Sequence, residues 1–323
     1  QEVKNYCVSE RIPSKTDILE AHKVIKPFIK HTPVLTSKLL DEMFNNNLYF
    51  KCENFQNAGS FKSRGAVNAI MNLSNEETKY GVATHSSGNF AQSLARAAKI
   101  LNIEAYIVMP KNAPKVKVNA VKEYGGKITF CEPNLKAREE TLAMLISNTG
   151  ATELHPYDDY AIIAGQGTAT LELCRDVPEL DMILCPVGGG GLISGAALSA
   201  DYFGHNIQVI GCEPDGADDA YKSYLAGEII PSINPNTIAD GLLTSLGKRN
   251  FPIIMSYVKE IVTVSEDSII KAMKLIYERM KIIIEPSSAV TLAALIENKV
   301  KAKGSNIGLI ISGGNVDLSK LPF

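Results

Sequence analysis

Short runs of apolar and β-branched residues alternate along this chain with longer stretches that have helical periodicity. The runs are continuous rather than alternately polar and apolar, which is typical of strands that are covered on both faces. Strands that are separated by helices predict parallel sheets with crossover connections. The predicted strands span 48–52, 81–84, 105–109, 127–131, 182–185, 208–211 and 307–311, and the clearest helices span 60–73 and 89–101. The sequence therefore predicts an α/β fold.

The chain is longer than one hydrophobic core usually organises, so its 323 residues predict two domains. We expect each domain to be an open, twisted, mostly parallel sheet flanked by helices. The polar stretches 73–79 and 156–160 are the predicted segments in which the chain passes from one domain to the other. Residues 79–156 would then form a small inserted domain, and residues 1–78 and 157–323 a discontinuous large domain.

Composition excludes several classes of partner. The 33 basic and 35 acidic residues leave a formal net charge of −2, which gives no electrostatic basis for binding nucleic acid or an anionic membrane. No run approaches the roughly 20 apolar residues that span a bilayer, residues 1–5 do not resemble a signal peptide, and we expect no regulatory module after Phe323. The six cysteines are scattered without a C-x-x-C pair, which favours reduced thiols. We expect a cytoplasmic protein.

Four consecutive glycines, residues 188–191, follow one predicted strand and precede a helix. Their uncovered backbone N–H groups can converge on a phosphate, aided by the helix dipole, although a flexible connector is the alternative. No lysine follows them, which excludes a P-loop. A dinucleotide-binding fold stays open, because Glu213 ends the next strand about 20 residues on, where an acid would bind ribose.

A lysine, Lys62, begins a predicted helix within the small and polar segment 57–65. A helix N-terminus disfavours cations, so we expect a lowered pKa for this amine, as Schiff-base chemistry requires. The alternative is a solvated Lys62, with Arg64 paired to a surface acid.

Two further polar loops follow predicted strands. The loop 84–90 offers donors suited to a carboxylate or phenolate, or a plain helix cap, and the loop 312–315 could be a tight turn. Because the carboxyl ends of parallel strands meet at one edge of a sheet, the four loops together predict one cofactor site.

The motifs G-S-F-K-x-R-G, S-S-G-N, G-G-G-G and S-G-G-N, in this order, resemble the pyridoxal-phosphate (PLP) enzymes of the tryptophan-synthase-β fold type. The resemblance runs from His31 to Asp317 and is strongest to the serine/threonine dehydratase and serine racemase branch, within which serine racemases match best. It implies the two-domain PLP fold type II, with the cofactor bound by the large domain. It also implies racemisation of L-serine to D-serine, with β-elimination of serine to pyruvate and ammonia.

The alternative within the branch is a dehydratase of serine, threonine or 3-hydroxyaspartate with little racemase activity. Two alternatives from other functional classes also stay open, a nicotinamide-dependent dehydrogenase and a non-catalytic PLP-binding module.

The resemblance implies a role for each matching residue. Lys62 forms the Schiff base and then acts as base on one face of the substrate Cα, and Ser87, where dehydratases usually carry alanine, acts on the other face. The cofactor-binding residues are Phe61, Lys62, Asn89, Gly188, Gly189, Gly190, Gly191, Gly241 and Ser312. The substrate-binding residues are Ser86, Ser87, Gly88, Asn89, Arg138 and Thr244.

Two of these positions bear on reactivity and substrate range. Ser312 faces the pyridine nitrogen and cannot hold it protonated as an aspartate would, which favours racemisation and elimination over transamination. Phe90 stands where the family usually has histidine, so a histidine role beside the substrate carboxylate does not carry over.

The resemblance further implies bound ions and a homodimer. Glu213, Asp219 and the backbone carbonyl of Ala217 match a divalent-cation site suited to Mg²⁺, Ca²⁺ or Mn²⁺, the alternative being a solvated acidic loop. A metal role would remove Glu213 from ribose binding. An activating ATP site between subunits is matched by Gln92, Lys117, Tyr124, Arg279, Lys281 and Asp317, although Asn57 replaces a lysine there.

Overall fold

A computed structural model describes residues 11–86 and 88–323, and this part of the chain contains ten strands. They are β1 (Val34–Leu35), β2 (Asn47–Cys52), β3 (Val82–His85), β4 (Ala105–Pro110), β5 (Lys127–Cys131), β6 (Thr152–Glu153), β7 (Met182–Pro186), β8 (Gln208–Pro214), β9 (Glu260–Val264) and β10 (Asn306–Ile311).

The α-helices connect and cover these strands. They are α1 (Lys15–Ile25), α2 (Lys38–Phe44), α3 (Lys62–Met71), α4 (Asn75–Thr78), α5 (Asn89–Ile100), α6 (Lys115–Glu123), α7 (Leu135–Thr149), α8 (Tyr160–Asp176), α9 (Gly191–Phe203), α10 (Asp219–Ala226), α11 (Asn250–Tyr257), α12 (Glu266–Met280) and α13 (Pro286–Ile296). None of the helices in the described part of the chain has the length and apolar character needed to cross a membrane.

The strands form two sheets. The larger has the order β1-β2-β10-β7-β8-β9, and the smaller has the order β5-β4-β3-β6. Only the edge pair β1–β2 is antiparallel. The predicted α/β fold with two mostly parallel sheets is therefore confirmed. All strands of the smaller sheet lie between Val82 and Glu153, within the predicted insertion 79–156, whose exact boundaries stay a prediction.

Neighbouring residues of each strand of the larger sheet enter different cores. In β7, Leu184 packs with residues of α12 and α13, whereas Ile183 and Cys185 pack with residues of α9 and α11. Because both faces are covered, the strands need apolar side chains at consecutive positions, which is why each strand appears in the sequence as a continuous apolar run. The sequence prediction did not include β1 and β6, which have two residues each, or the edge strand β9.

A buried ionic network fixes the start of α3. Arg64 has no exposed side-chain surface, and its guanidinium donates to both carboxylate oxygens of Glu53 (2.7 and 2.8 Å) and of Glu172 (2.7 and 2.8 Å). Lys51 also donates to Glu172 (2.7 Å) and to the carbonyl of Thr32 (2.8 Å). Arg64 is thus paired with two buried acids, so the reading in which it pairs a surface acid is wrong.

Removing the arginine should destabilise the fold strongly. In Arg64→Met, the carboxylates of Glu53 and Glu172 would remain buried without their shared partner, and we expect a loss of about 3–5 kcal/mol in the free energy of unfolding. Urea denaturation of the cofactor-free protein measures this loss. The same substitution at the exposed Arg175, which we expect to cost less than about 0.5 kcal/mol, is the control. Equal effects at the two positions would contradict the role of the network.

Candidate active site

One cavity of about 360 Å³ brings the four predicted loops together. This volume lies within the range of small-molecule sites. Its lining includes Phe61 and Lys62 from the start of α3, Ser86, Gly88 and Asn89 from the loop after β3, glycines 188–191 from the loop after β7, and Ser312 after β10. Gly241, Thr244 and Arg138 also line it. Ser87, like residues 1–10, lies outside the described residues, so the structure does not place it.

Lys62 is the first residue of α3, and its amine points into this cavity. The Nζ atom donates a hydrogen bond to the carbonyl of Pro156 (2.8 Å) and lies 5.1, 5.8 and 6.0 Å from the ring centroids of Phe61, Phe90 and Tyr157. Burial lowers the pKa of Lys62 to about 8, against the opposing effect of Glu285. The lowered pKa agrees with the sequence-based expectation, although its main cause is burial rather than the helix dipole.

The turn that carries Pro156 and Tyr157 is held by a histidine. Nδ1 of His155 accepts hydrogen bonds from the backbone N–H groups of Asp158 (2.9 Å) and Tyr157 (3.3 Å). Burial lowers the pKa of His155 to about 4, so its ring is neutral at neutral pH and Nδ1 is free to accept. The ring of Tyr157 packs on the glycine loop, and burial raises the pKa of its hydroxyl to about 12, against a hydrogen bond with Thr244.

The glycine loop leads directly into α9, where the first backbone N–H groups have no intrahelical acceptor. A Cβ atom on Gly189 would lie 2.3 Å from the Tyr157 ring, and Gly190 has a φ of 96°, so both positions require glycine. The carbonyl of Gly189 accepts from the N–H of Gly247 (3.0 Å), which ties the loop to the segment before α11. Exposed N–H groups at a helix start fit a phosphate group.

Asn89, the first residue of α5, contacts a carboxylate that the sequence reading missed. Its amide nitrogen donates to the two carboxylate oxygens of Glu285 (2.8 and 3.1 Å), and its oxygen accepts from Asn315 (3.0 Å). Burial raises the pKa of Glu285 to about 7, while Lys117 opposes this shift and Asp240 adds to it. Lys117 is itself ion-paired with Asp240. The sequence does hold a signal for Glu285, which lies between an apolar run and the proline that begins α13.

Arg138, Thr244 and His85 are further residues in the lining of the cavity. The Nε atom of Arg138 is buried and has no hydrogen-bond partner among the described residues. Burial, together with the nearby charge of Arg138, lowers the pKa of His85. The guanidinium of Arg138, whose Nε atom has no partner among the described residues, is a charged donor that suits a carboxylate.

The predicted metal ligands do not line the cavity. Glu213 ends β8, Asp219 begins α10, and Ala217 lies in the short turn between them. Burial raises the pKa of Glu213 to about 9 and that of Asp219 to about 7. One carboxylate oxygen of Asp219 is buried without a hydrogen-bond partner in the part of the chain that the structure describes. The described residues contain no cluster of three or more His, Cys, Asp or Glu side chains arranged to hold a metal ion. The predicted set of ligands has only two such side chains, those of Glu213 and Asp219.

Of the six predicted nucleotide-binding residues, only Lys117 is among the residues that line the cavity. Gln92 is buried in α5, whereas Arg279 and Lys281 are exposed at the end of α12. The sequence reading also missed Tyr157, because the segment 156–160 was assigned to a domain crossing. A residue in such a turn has no periodicity that would reveal its position in a cavity.

Known proteins resemble this chain in sequence and in fold. Residues 25–313 match the family model described as "Pyridoxal-phosphate dependent enzyme". A serine racemase of Dictyostelium discoideum is 52% identical over 309 residues, which cover 94% of this chain and 95% of that protein. A beta-hydroxyaspartate dehydratase of Paracoccus denitrificans is 47% identical, with 97% and 99% covered. The crystal structure of a Dictyostelium discoideum serine racemase superposes with a TM-score of 0.90 at 51% identity, covering 94% of this chain and 99% of that one.

Proposed function

This chain belongs to the family of pyridoxal-phosphate-dependent enzymes, and we propose that it converts L-serine to D-serine and also eliminates water from serine, giving pyruvate and ammonia. The observation that carries this proposal is the buried amine of Lys62, with its lowered pKa, in a cavity that it shares with the glycine loop and with Ser86, Gly88 and Asn89. The family match removes the nicotinamide-dependent dehydrogenase from consideration.

The cavity residues fit the cofactor. Lys62 would hold it covalently, the N–H groups of residues 188–191 would bind its phosphate, and Asn89 would bind its phenolic oxygen. Phe61 would pack on the ring, Ser312 would face its nitrogen, and Gly241 would be a further residue that contacts the cofactor. When bound, PLP supplies the electron sink that acidifies the α-proton of the amino acid.

The chain's own groups then move the protons. Lys62 removes the α-proton from one face, since a pKa of about 8 leaves part of the amine neutral at neutral pH. Ser87 returns a proton to the opposite face, which inverts the centre. Alternatively the β-hydroxyl takes up a proton and leaves as water, and hydrolysis of the dehydrated amino acid then gives pyruvate and ammonia. We assign this role to Ser87 from the family resemblance.

We assign the substrate carboxylate to the loop that contains Ser86, Gly88 and Asn89, with Arg138 and Thr244 as further residues near the substrate. This placement supports a second candidate, a 3-hydroxyaspartate dehydratase. The buried Nε of Arg138, without a partner among the described residues, could bind the second carboxylate of such a substrate. The dehydratase of Paracoccus denitrificans is named for this substrate class.

We further propose a divalent cation, Mg²⁺ or alternatively Ca²⁺ or Mn²⁺, at Glu213, Asp219 and the carbonyl of Ala217. Its support is the buried oxygen of Asp219 that has no hydrogen-bond partner among the described residues, next to a second buried carboxylate. Hard oxygen ligands of this kind suit these ions. Such a cation would compensate the buried negative charge.

Three further proposals concern the assembly, the regulation and the location of the protein. A homodimer, and an ATP site formed by Gln92, Lys117, Tyr124, Arg279, Lys281 and Asp317, rest on the family resemblance. A cytoplasmic location is supported by the cysteines, since Cys52, Cys131, Cys174, Cys185 and Cys212 are all free and buried.

Substituting Ser87 should separate the two reactions. In Ser87→Ala, we expect D-serine formation from L-serine to fall at least about 100-fold, because one of the two acid–base groups is lost. Pyruvate formation from L-serine should persist, because Lys62 is retained. Chiral chromatography for D-serine and a pyruvate assay on the same sample measure both products, and Lys62→Ala should abolish both.

Two outcomes would contradict this account. Pyruvate without D-serine from the unmodified protein would select the dehydratase, and assays with 3-hydroxyaspartate would then identify its substrate. D-serine formation that is unchanged in Ser87→Ala would remove Ser87 from the mechanism.

Metal removal should destabilise the protein. Chelation should lower the melting temperature by several degrees, since a bound ion stabilises only the folded state, and Mg²⁺, Ca²⁺ or Mn²⁺ should restore it. Differential scanning fluorimetry measures the change. The variant Asp219→Asn should lose the response to the ions, whereas Asp201→Asn, at an exposed position of α9, should keep it. An equal response in both variants would overturn the assignment.

A further inference from the structure

Behind Ser312 lies a second buried hydroxyl that the proposed mechanism does not use. The Oγ atom of Ser288, in the first turn of α13, lies 3.1 Å from the Oγ atom of Ser312. Both side chains are buried, with Ser288 0% and Ser312 3% exposed. Among the residues that the structure describes, Ser288 is the one hydrogen-bond partner of the Ser312 hydroxyl.

The Ser288 hydroxyl has one hydrogen and two possible acceptors for it. Its oxygen accepts a hydrogen bond from the N–H of Gly313 (2.9 Å) and lies 2.8 Å from the carbonyl oxygen of the same residue. The hydrogen can therefore go to the Gly313 carbonyl or to Ser312, but not to both. The Gly313 carbonyl also accepts from the N–H of Glu285 (3.0 Å), so it keeps a donor in either case. Each of these backbone groups thus keeps at least one hydrogen-bond partner in either arrangement.

The direction of the Ser288 hydrogen determines whether the Ser312 hydroxyl presents a lone pair or its hydrogen to the cavity. When Ser288 donates to Gly313, Ser312 gives its hydrogen to Ser288 and presents a lone pair to the cavity. When Ser288 donates to Ser312, the hydrogen of Ser312 is free to point into the cavity. The first arrangement accepts a hydrogen bond from a protonated ring nitrogen, and the second donates one to an unprotonated nitrogen.

We propose that Ser288 is a positioning residue that allows Ser312 to switch between accepting and donating a hydrogen bond at the cofactor's ring nitrogen. This inference rests on the proposed function, in which Ser312 faces that nitrogen. Without the Ser288 hydroxyl, the Ser312 hydrogen has no other acceptor among the described residues and is directed to the ring nitrogen. The unprotonated nitrogen is then favoured, and the ring becomes a weaker electron sink.

The test uses PLP labelled with ¹⁵N in the ring, loaded into the full-length protein, and the ¹⁵N chemical shift of the ring nitrogen at one fixed pH. In Ser288→Ala, we expect the resonance to move toward the value of the unprotonated, hydrogen-bonded nitrogen. We also expect kcat to fall about tenfold for both products, as for an increase of roughly 1.4 kcal/mol in the barrier, with KM little changed. Ser288→Thr keeps the hydroxyl and should keep the unmodified protein's resonance.

The matched control is Ser199→Ala in α9, which also removes a buried hydroxyl bonded to the backbone, there the carbonyl of Gly167 (2.7 Å). It should lower thermal stability without moving the ring-nitrogen resonance. If Ser288→Ala does not fold, Ser288→Cys replaces it, because a thiol is a weak donor of similar size, and the shift should have the same direction. A resonance that is unchanged in the variant, with PLP bound and turnover in the unmodified protein, would overturn this inference alone. An unmodified protein that does not bind PLP at Lys62 would instead overturn the proposed function.

Discussion

The paired hydrogen bonds of the Arg64 guanidinium with Glu53 and Glu172 are the constraint on which the site depends. They join the segment after β2, the start of α3 and the C-terminal part of α8 in one buried cluster. A planar guanidinium can make paired hydrogen bonds with two carboxylates at once, a fork geometry that a lysine ammonium does not offer. Because Lys62 lies two residues before Arg64, any change in this cluster would move the amine relative to the glycine loop. The network specifies where the reactive amine lies, whether or not it adds net stability.

Burial sets the protonation states of Lys62 and Glu285 in the cavity. The same desolvation lowers the pKa of Lys62 to about 8 and raises that of Glu285 to about 7. Both pKa values are thereby brought close to neutral pH, where proton transfer is efficient. The positive charge of Lys117, itself paired with Asp240, keeps part of the negative charge on Glu285. A site of this kind needs few catalytic side chains, because the cofactor carries the electronic part of the reaction.

The sequence predicted the parts of this structure that are local and missed those that join distant segments. Strands such as β7 and β10 were predicted because burial on both faces leaves a continuous apolar run. The amine of Lys62 was predicted from its place at a helix start. In contrast, Glu285 meets Asn89 across 196 residues, and Glu172 meets Arg64 across 108 residues. Periodicity within one chain does not indicate such pairings, so the alternative in which Arg64 pairs a surface acid could be rejected only from the fold. The two-residue strands β1 and β6 are too short to produce a pattern.

The most direct test of this account is the pH dependence of covalent PLP uptake by the cofactor-free protein, with borohydride trapping and peptide mass spectrometry to locate the modified lysine. Only the neutral amine attacks the aldehyde, so the rate should rise with pH through a midpoint of about 8, instead of the ordinary lysine value of 10.5. At pH 7 about one Lys62 in ten would be neutral, against about one in 3000 for an unperturbed lysine. Label on Lys62 with a midpoint near 8 is the predicted result. A midpoint near 10.5, or label on another lysine, would contradict the account.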